Sequence, residues 1–414
     1  MSDSSHKYSE YLKTRRWSGL IYRYIFIYPF FLQYLGLKNV DYGHLEIRTP
    51  SNALLNFGDP QSKLKADMTI KNPAFNYNLI KGGSIAFAEC YMRDEFETSN
   101  LSNLIELTAR NIKIVHKFSG VFDFPLFNYI KNKIIKNTKG RSKENIAKHY
   151  DLGNDFFSLW LDNTLTYSSA IFDEQNKDLS SAQNNKYQKL INLMKPNHGD
   201  KVLEIGCGWG GFAEYAAGNR GANVKGLTIS QEQHDFAVER INKAGLSDKV
   251  EIVMQDYRDE ADQYDGIASI EMFEAVGEKY WPSYFNTVRD RLTSQGRATL
   301  QIITIGDDFF PHYRKNVDFI QKYIFPGGML PSQIALKEQI EKAGLTSIKM
   351  DNFGQSYSKT LRIWHKQFNS VWTDIEPLGF DERFKRMWNF YFASCAAFFL
   401  SRTGDVAQLT LQKG

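Results

Sequence analysis

The residues that first suggest chemistry are Glu204 and the glycines after it, in Lys201-Val-Leu-Glu-Ile-Gly-Cys-Gly-Trp-Gly-Gly-Phe. Gly206, Gly208, Gly210 and Gly211 let a backbone approach a ligand closely, because no Cβ stands in the way. Their spacing alone also fits a dinucleotide fingerprint. Two features argue against that ligand. Glu204 stands just before the turn, where a carboxylate repels a pyrophosphate and suits a cation. The next strand, Asn223–Thr228, continues into Ile-Ser without the acid expected to hold a ribose. S-adenosylmethionine carries a sulfonium and an ammonium but no phosphate, so it matches this charge pattern. Without a ligand, the same stretch reads as an ordinary strand, turn and helix.

A corner of this kind needs a buried strand before it and a helix after it. Val202, Leu203 and Ile205 supply the first, and the chain from Phe212 the second. Four more apolar runs alternate with helical patterns: Val224–Thr228, Val250–Met254, Gly266–Ile270 and Ala298–Ile303. The alternation predicts an α/β fold, a doubly wound parallel sheet covered on both faces. Ser230-Gln-Glu-Gln233 reads as a capping box that starts a helix. The ligand then belongs along the carboxyl ends of the strands. Thr228, Gln233, Gln255, Asp256, Tyr257 and Glu274 collect at that edge. Gln233 equally fits a helix cap, and Tyr257 equally fits packing.

With 414 residues, 42% hydrophobic and 24% charged, the chain has globular composition and room for two domains. The net charge of +4 is small, so the distribution of charge says more than the total. Lys131–Lys148 holds seven cations against Glu144 and reads as a linker or exposed helix. It suits either a solvated face or a patch for anionic phospholipid headgroups. It lacks a nucleic-acid reader motif, so no nucleic-acid partner is expected. Cys90, Cys207 and Cys395 are too few and too scattered for a disulfide framework or zinc site, and a reducing compartment is the default. His149, Asp151 and Asp155 fit no standard metal spacing, so no metal is expected.

Met1-Ser-Asp-Ser-Ser does not open a signal peptide. The run Leu20–Leu37 is interrupted by Arg23, Pro29 and Gln33 and is rich in aromatics. It therefore reads as a surface-lying or domain-packing segment rather than a membrane span. Residues from about 43 to 100 suggest a small β-rich α+β unit. Between Asp307 and Ser332 the chain inserts Phe309-Phe-Pro-His-Tyr and Phe319-Ile-Gln-Lys-Tyr-Ile-Phe-Pro-Gly-Gly-Met. That insertion suits a cover over an apolar substrate, or an added piece of core. The C-terminal part offers a strand from Ser347, a helical region rich in Trp and Phe, and a last strand Ala407–Gln412.

Several segments jointly resemble the cyclopropane-fatty-acyl-phospholipid synthase family, which includes the mycolic acid cyclopropane synthases. They are His149-Tyr-Asp-Leu-Gly-Asn-Asp-Phe-Phe, Leu203-Glu-Ile-Gly-Cys-Gly-Trp-Gly-Gly, Leu227-Thr-Ile-Ser-Gln-Glu-Gln, Gln255-Asp-Tyr-Arg-Asp, Met272-Phe-Glu-Ala-Val-Gly, Lys322-Tyr-Ile-Phe-Pro-Gly-Gly-Met-Leu-Pro-Ser, Asn352-Phe-Gly through Tyr357, and the stretch around Cys395. The resemblance implies a class I methyltransferase domain over 146–414. Residues 1–145 become a smaller lipid-binding domain at the membrane surface, with the basic linker. It implies S-adenosylmethionine as methyl donor and an unsaturated acyl chain of a membrane phospholipid as acceptor, with a cyclopropane chain as product. Tyr167, Ser168, Glu204–Gly211, Thr228–Gln233 and Gln255–Tyr257 would hold the cofactor. It also implies a bicarbonate base near Glu274 and Tyr357, a role for Cys395, a homodimer, and a cytoplasmic enzyme peripheral on the inner face of the membrane.

The chemistry asks for little beyond in-line placement, aromatic faces for a carbocation, a base and a dry pocket. Tyr150, Tyr167, Phe273, Tyr323 and Tyr357 are the aromatic candidates. Cys395 sits in Ala-Ser-Cys-Ala-Ala-Phe-Phe with no cation to activate it, so a structural thiol fits equally. Three positions depart from the family pattern: Ser169 replaces a cysteine, and Ala275 and Ile303 stand where histidine is common. The backbone N–H of Ser169 is left as a donor to the ion. A changed base would let the carbocation end as a methyl-branched or methylated unsaturated chain instead of a ring. Loss of catalysis altogether would leave a lipid-surface binding protein.

Overall fold

The computed structural model describes residues 37, 40–111 and 152–414. The apolar run up to residue 36, the basic stretch 131–148, His149, Tyr150, Asp151 and the expected boundary at residue 145 lie outside the described residues. The described chain forms two compact units. One holds the residues up to 111 together with Phe380–Ser401, and the other holds 152–379 and Arg402–Gly414.

In the first unit, β1 (His44–Arg48), β2 (Leu54–Gly58), β3 (Lys65–Ile70) and β4 (Phe96–Glu97) form a sheet in the order β2-β1-β3-β4. β1 pairs antiparallel with β2 and parallel with β3. Ala66, Met68 and Ile70 alternate inward along β3, as period-two patterning requires. Helices Phe75–Met92, broken at Gly83, and Leu101–Arg110 cover the sheet, with a core of Leu45, Ile47, Phe75, Phe96, Leu104 and Leu107. The helix Glu382–Leu400 completes this unit from far along the chain. Its Arg386 donates to the carbonyls of Tyr91 (2.6 Å) and Phe96 (3.1 Å), and Phe390 packs on Phe87 and Tyr91. The aromatic helical region read as one piece in the sequence is thus two helices in different units, Gly354–Ser370 and Glu382–Leu400.

The second unit is built on seven strands: β5 (Lys201–Ile205), β6 (Asn223–Thr228), β7 (Val250–Met254), β8 (Tyr264–Ile270), β9 (Leu292–Ile305), β10 (Leu345–Asn352) and β11 (Gly404–Lys413). Their order is β10-β11-β9-β8-β5-β6-β7. The pairs among β5 to β9 are parallel, while β11 runs antiparallel to β9 and β10. β5 lies inside the sheet and is buried at every position after Lys201, as a strand covered on both faces is. Val202 faces helices Leu179–Met194, Gly211–Arg220 and Gln231–Lys243, while Leu203 and Ile205 face Trp281–Arg291 and Gln333–Lys342. Chain order reverses at β5, between β6 and β8. That switch point opens a crevice beyond the carboxyl ends of these strands.

One local expectation changes. Ser230 accepts from the Gln233 N–H (3.4 Å), but the Gln233 side chain does not close a capping box. The Thr228 hydroxyl donates to Gln233 Oε1 (3.0 Å) and accepts from the Ser230 N–H (3.2 Å). The neighbouring strand end competes for the amide and wins.

Candidate active site

The turn after β5 is tied to β6, since the N–H groups of Gly206 and Cys207 both donate to the Leu227 carbonyl (3.0 and 2.8 Å). The four glycines serve different ends. A Cβ on Gly206 would meet Met272 at 2.7 Å, and one on Gly211 would meet the Tyr187 hydroxyl at 2.7 Å. Gly210 has Ala237 at 3.1 Å. Only at Gly208, with φ +54°, does the added carbon find no protein atom within 4 Å. Packing within the chain therefore accounts for Gly206, Gly210 and Gly211, and Gly208 opens onto free space.

Glu204 is 2% exposed, and its Oε2 has no hydrogen-bond partner among the described residues. Burial pushes this carboxyl well above its ordinary value, against the Ala213 N–H and the charges of Lys186 and Arg240. An orphaned buried carboxylate oxygen beside a glycine cradle fits a cationic cofactor better than a phosphate. Around the same edge, Thr228 and Gln233 are buried and bonded to each other. The Gln255 N–H donates to Thr228 O (3.0 Å). Asp256 holds Arg258 through two bonds of 2.8 and 2.5 Å, and that guanidinium lies over the Tyr257 and Tyr280 rings. Ser168 is buried and accepts from Lys186 Nζ (2.8 Å). Tyr167 joins an aromatic cluster with Phe157, Trp160, Phe325 and Trp364, at centroid distances of 5.3–6.4 Å.

A second group gathers at the end of β8. Glu274 accepts from the Ile303 N–H through Oε1, while Oε2 is buried and without a partner among the described residues. Burial, followed by the charge of Glu271, lifts the Glu274 carboxyl to about 8, so it holds its proton at neutral pH. Main-chain N–H thus serves at Ile303, where the family pattern led us to look for a side chain. The insertion expected as a cover reaches this group, with the Met329 N–H donating to the Glu274 carbonyl (2.8 Å).

Ser169 corrects an expectation. Its N–H, read as a donor left for bicarbonate, donates to Glu271 Oε1 (2.8 Å). The same oxygen accepts from Gln301 Nε2 (2.7 Å), and the Tyr357 hydroxyl hydrogen-bonds to this carboxylate as well. Donors expected around a free anion are committed to a side chain of the protein, so the site does not fit bicarbonate as the resemblance implied. Glu271 also has φ +51°, a left-handed backbone that costs a non-glycine residue roughly 1–3 kcal/mol and clusters at functional sites.

The sequence reading missed Glu271, Gln301 and Lys186. Each left a signal: an acid ending the apolar strand β8, an amide inside the apolar strand β9, and a lysine on the buried face of Leu179–Met194. Lys186 is fully buried, donates also to Gln183 Oε1 (2.7 Å), and is pushed down to about 7 by burial against the pull of Glu271, Asp162 and Glu204. Among the aromatic candidates, Tyr357 stands 6.1 Å from Trp364, in the Tyr167 cluster. Phe273 is instead core, stacked on Trp281. Tyr323 packs on Phe319. Cys395 lies on Glu382–Leu400 in the first unit, whereas Ser169, Glu274 and Tyr357 lie in the second.

Strand order, the glycine turn and the strand-end carboxyls together define a class I S-adenosylmethionine-dependent methyltransferase. A family model described as mycolic acid cyclopropane synthetase matches residues 137–409, and the chain belongs to that family. It is 36% identical over 337 residues to the tuberculostearic acid methyltransferase UfaA1 of Mycobacterium tuberculosis, covering 80% of this chain and 79% of the relative. It is 37% identical over 358 residues to the cyclopropane-fatty-acyl-phospholipid synthase of Escherichia coli, covering 84% and 88%. The crystal structure of the mycolic acid cyclopropane synthase CmaA1 complexed with SAH and CTAB superposes with TM-score 0.62 at 29% identity, covering 66% of this chain and 98% of that one. The protein is an S-adenosylmethionine-dependent enzyme of lipid acyl-chain methylation or cyclopropanation.

Proposed function

We propose that the protein methylates the cis double bond of an unsaturated phospholipid acyl chain and closes a cyclopropane ring on it. The observation that carries this is an acid pair, half-buried Glu271 and buried Glu274, in the same unit as the open Gly208 turn and an aromatic cluster that includes Tyr167 and Tyr357. S-adenosylmethionine, when bound, supplies an electrophilic methyl group. Glu204, Gly206–Gly211, Thr228, Gln233, Gln255, Asp256, Tyr257, Tyr167 and Ser168 are the residues proposed to hold it. The faces of Tyr167, Tyr357 and Trp364 stabilise positive charge that develops on the acyl chain. Burial and the 307–332 insertion keep water from quenching that charge. Cys395 takes no step in this scheme.

A second reading ends in a methyl-branched or methylated unsaturated chain. It is favoured by the engagement of Ser169 and Tyr357 with Glu271 rather than with a free base, and by the likeness to a tuberculostearic acid methyltransferase. A lipid-binding protein without catalysis is the third, and it requires the acid pair to be idle. Residues 131–148 are proposed to hold anionic headgroups, which would keep the enzyme peripheral on the cytoplasmic side of the membrane. A homodimer is proposed from the family resemblance.

The deciding assay incubates the protein with methyl-labelled S-adenosylmethionine and vesicles of unsaturated phospholipid, then examines released acyl chains by proton NMR. High-field cyclopropane protons are expected. A labelled methyl or methylene branch selects the second reading, and cofactor binding without labelled lipid selects the third.

A further inference from the structure

We infer that Glu271 is the proton acceptor of the reaction, a carboxylate built into the chain at the place where a free anion would otherwise sit. This rests on the methyl transfer proposed above. The Glu271 carboxylate is met by a main-chain N–H from Ser169, an amide from Gln301 and the hydroxyl of Tyr357. Ser169 and Gln301 are fully buried. These three donors come from three separate stretches of chain. Ala170, next to Ser169, is itself held by Thr360 of the helix that carries Tyr357 (3.2 Å). Gln301 is held from behind, since Gln408 Nε2 donates to its Oε1 (3.0 Å) and to the Lys186 carbonyl (3.3 Å). A surface carboxylate needs no such construction.

The backbone of Glu271 carries the second, independent sign. A left-handed φ of +51° at the end of β8 is a conformation glycine adopts freely and glutamate does not. Glu274, three residues on, has one oxygen on the Ile303 N–H and the other without a partner among the described residues. The two acids therefore divide the work. Glu274 stays protonated. Burial raises the Glu271 carboxyl too, but Gln301, the Ser169 N–H, the charge of Lys186 and Tyr357 all pull it back toward the ionised form, and Glu274 has no such set of donors.

In the step itself, methyl transfer leaves a cation on one former alkene carbon and a new methyl on the other. A Glu271 oxygen takes a proton from that methyl. The released C–H electron pair forms the third C–C bond of the ring and neutralises the cation. The proton stays on Glu271 until product leaves, and then passes to water.

The test compares wild type with Glu271→Gln and Glu271→Gly in carbon-dioxide-depleted buffer and in buffer with added bicarbonate or formate. Vesicles of unsaturated phospholipid and labelled S-adenosylmethionine report lipid products. Line broadening of ¹³C-bicarbonate reports ion binding without turnover. Wild type should change by less than twofold on removing bicarbonate and should not broaden the signal. Glu271→Gln should lose ring product by about 10²–10⁴-fold with no rescue, because its amide fills the site. Glu271→Gly, relieved of the left-handed strain, should fold, bind bicarbonate and regain at least tenfold of its activity when the ion is added. Labelled lipid that forms in wild type only with bicarbonate present overturns the built-in base alone. Undiminished turnover in Glu271→Gln does the same. A wild type that labels no lipid in either buffer removes the proposed reaction and the base together.

Discussion

Glu274 makes the stability of the protein depend on pH in a stated direction. Its folded carboxyl titrates near 8, against an ordinary value of 4.5. The folded state therefore keeps a proton that the unfolded chain has lost. The contribution is full below about pH 4.5 and disappears as pH rises through about 8. Replacing Glu274 with Gln should flatten the fall in Tm between pH 5 and 8, an effect on the order of a few kcal/mol for a group this buried. The same variant should lower turnover at least tenfold while calorimetry finds the affinity for S-adenosylmethionine unchanged. Equal losses in both would place Glu274 at the cofactor instead. Lys186 acts with the opposite sign. Its amine titrates near 7 when folded and near 10.5 otherwise, so the folded state regains stability as pH rises from 7 toward 10.5. Lys186→Met removes a buried cation that faces Glu271, Asp162 and Glu204. It should move the acid limb of the pH–rate profile upward, because Glu271 then ionises less readily. An unmoved limb would show that Lys186 only fills space.

At the scale of elements, the helix Gly354–Ser370 positions the segment that carries Ser169. Thr360 Oγ1 accepts from the Ala170 N–H (3.2 Å), and Ser356 Oγ accepts from the Phe172 N–H (3.3 Å). Thr360→Val strands a fully buried N–H and should cost about 1–3 kcal/mol in denaturant unfolding. It should also change the ratio of ring to open-chain product, by shifting the Ser169 donor next to it. The glycine turn gives a sharper contrast. Gly211→Ala meets the Tyr187 hydroxyl, which is fixed by a 2.6 Å bond to Thr166, and should destabilise by roughly 1–3 kcal/mol. Gly208→Val places its Cβ where no protein atom stands within 4 Å, so its cost of roughly 1–3 kcal/mol comes from the left-handed backbone (φ +54°) and not from a clash, and it should in addition abolish cofactor binding. An unchanged affinity would refute the cradle. These differences explain what the sequence could tell. Strands β5 to β9 were legible because apolar runs between helical patterns have few other uses, and the Glu204–Gly211 corner because its spacing is local. Glu271 was not legible. Its role comes from donors at residues 169, 301 and 357, and only the closed sheet sets those side by side. Capping at Gln233 failed for a similar reason, since Thr228 lies on the preceding strand.

At the scale of the whole molecule, a net charge of +4 is too small to draw the protein to a membrane by itself. The seven cations between 131 and 148 carry that task in the proposed function. Exchanging Lys131, Lys133 and Lys136 for Glu should cut co-sedimentation with anionic vesicles by at least tenfold at low salt. The loss should shrink near 0.5 M salt, where wild type also lets go. Equal binding by the two proteins would assign membrane contact elsewhere. Among the described residues, no helix is long and apolar enough to cross a membrane.

The helix Glu382–Leu400 belongs to the first unit, yet the ribosome makes it some 270 residues after that unit's helix Leu101–Arg110 has emerged. At about 5–20 residues per second, the interval is roughly 15–50 s. Throughout it, the contacts that Arg386 makes with the Tyr91 and Phe96 carbonyls, and Phe390 with the Phe87 and Tyr91 rings, are still to be made. The last strand, β11, must then return to close the other sheet. Both units thus take their closing elements from the last 35 residues. A chain cut anywhere before residue 380 therefore lacks the closing helix of one unit and the last strand of the other at once.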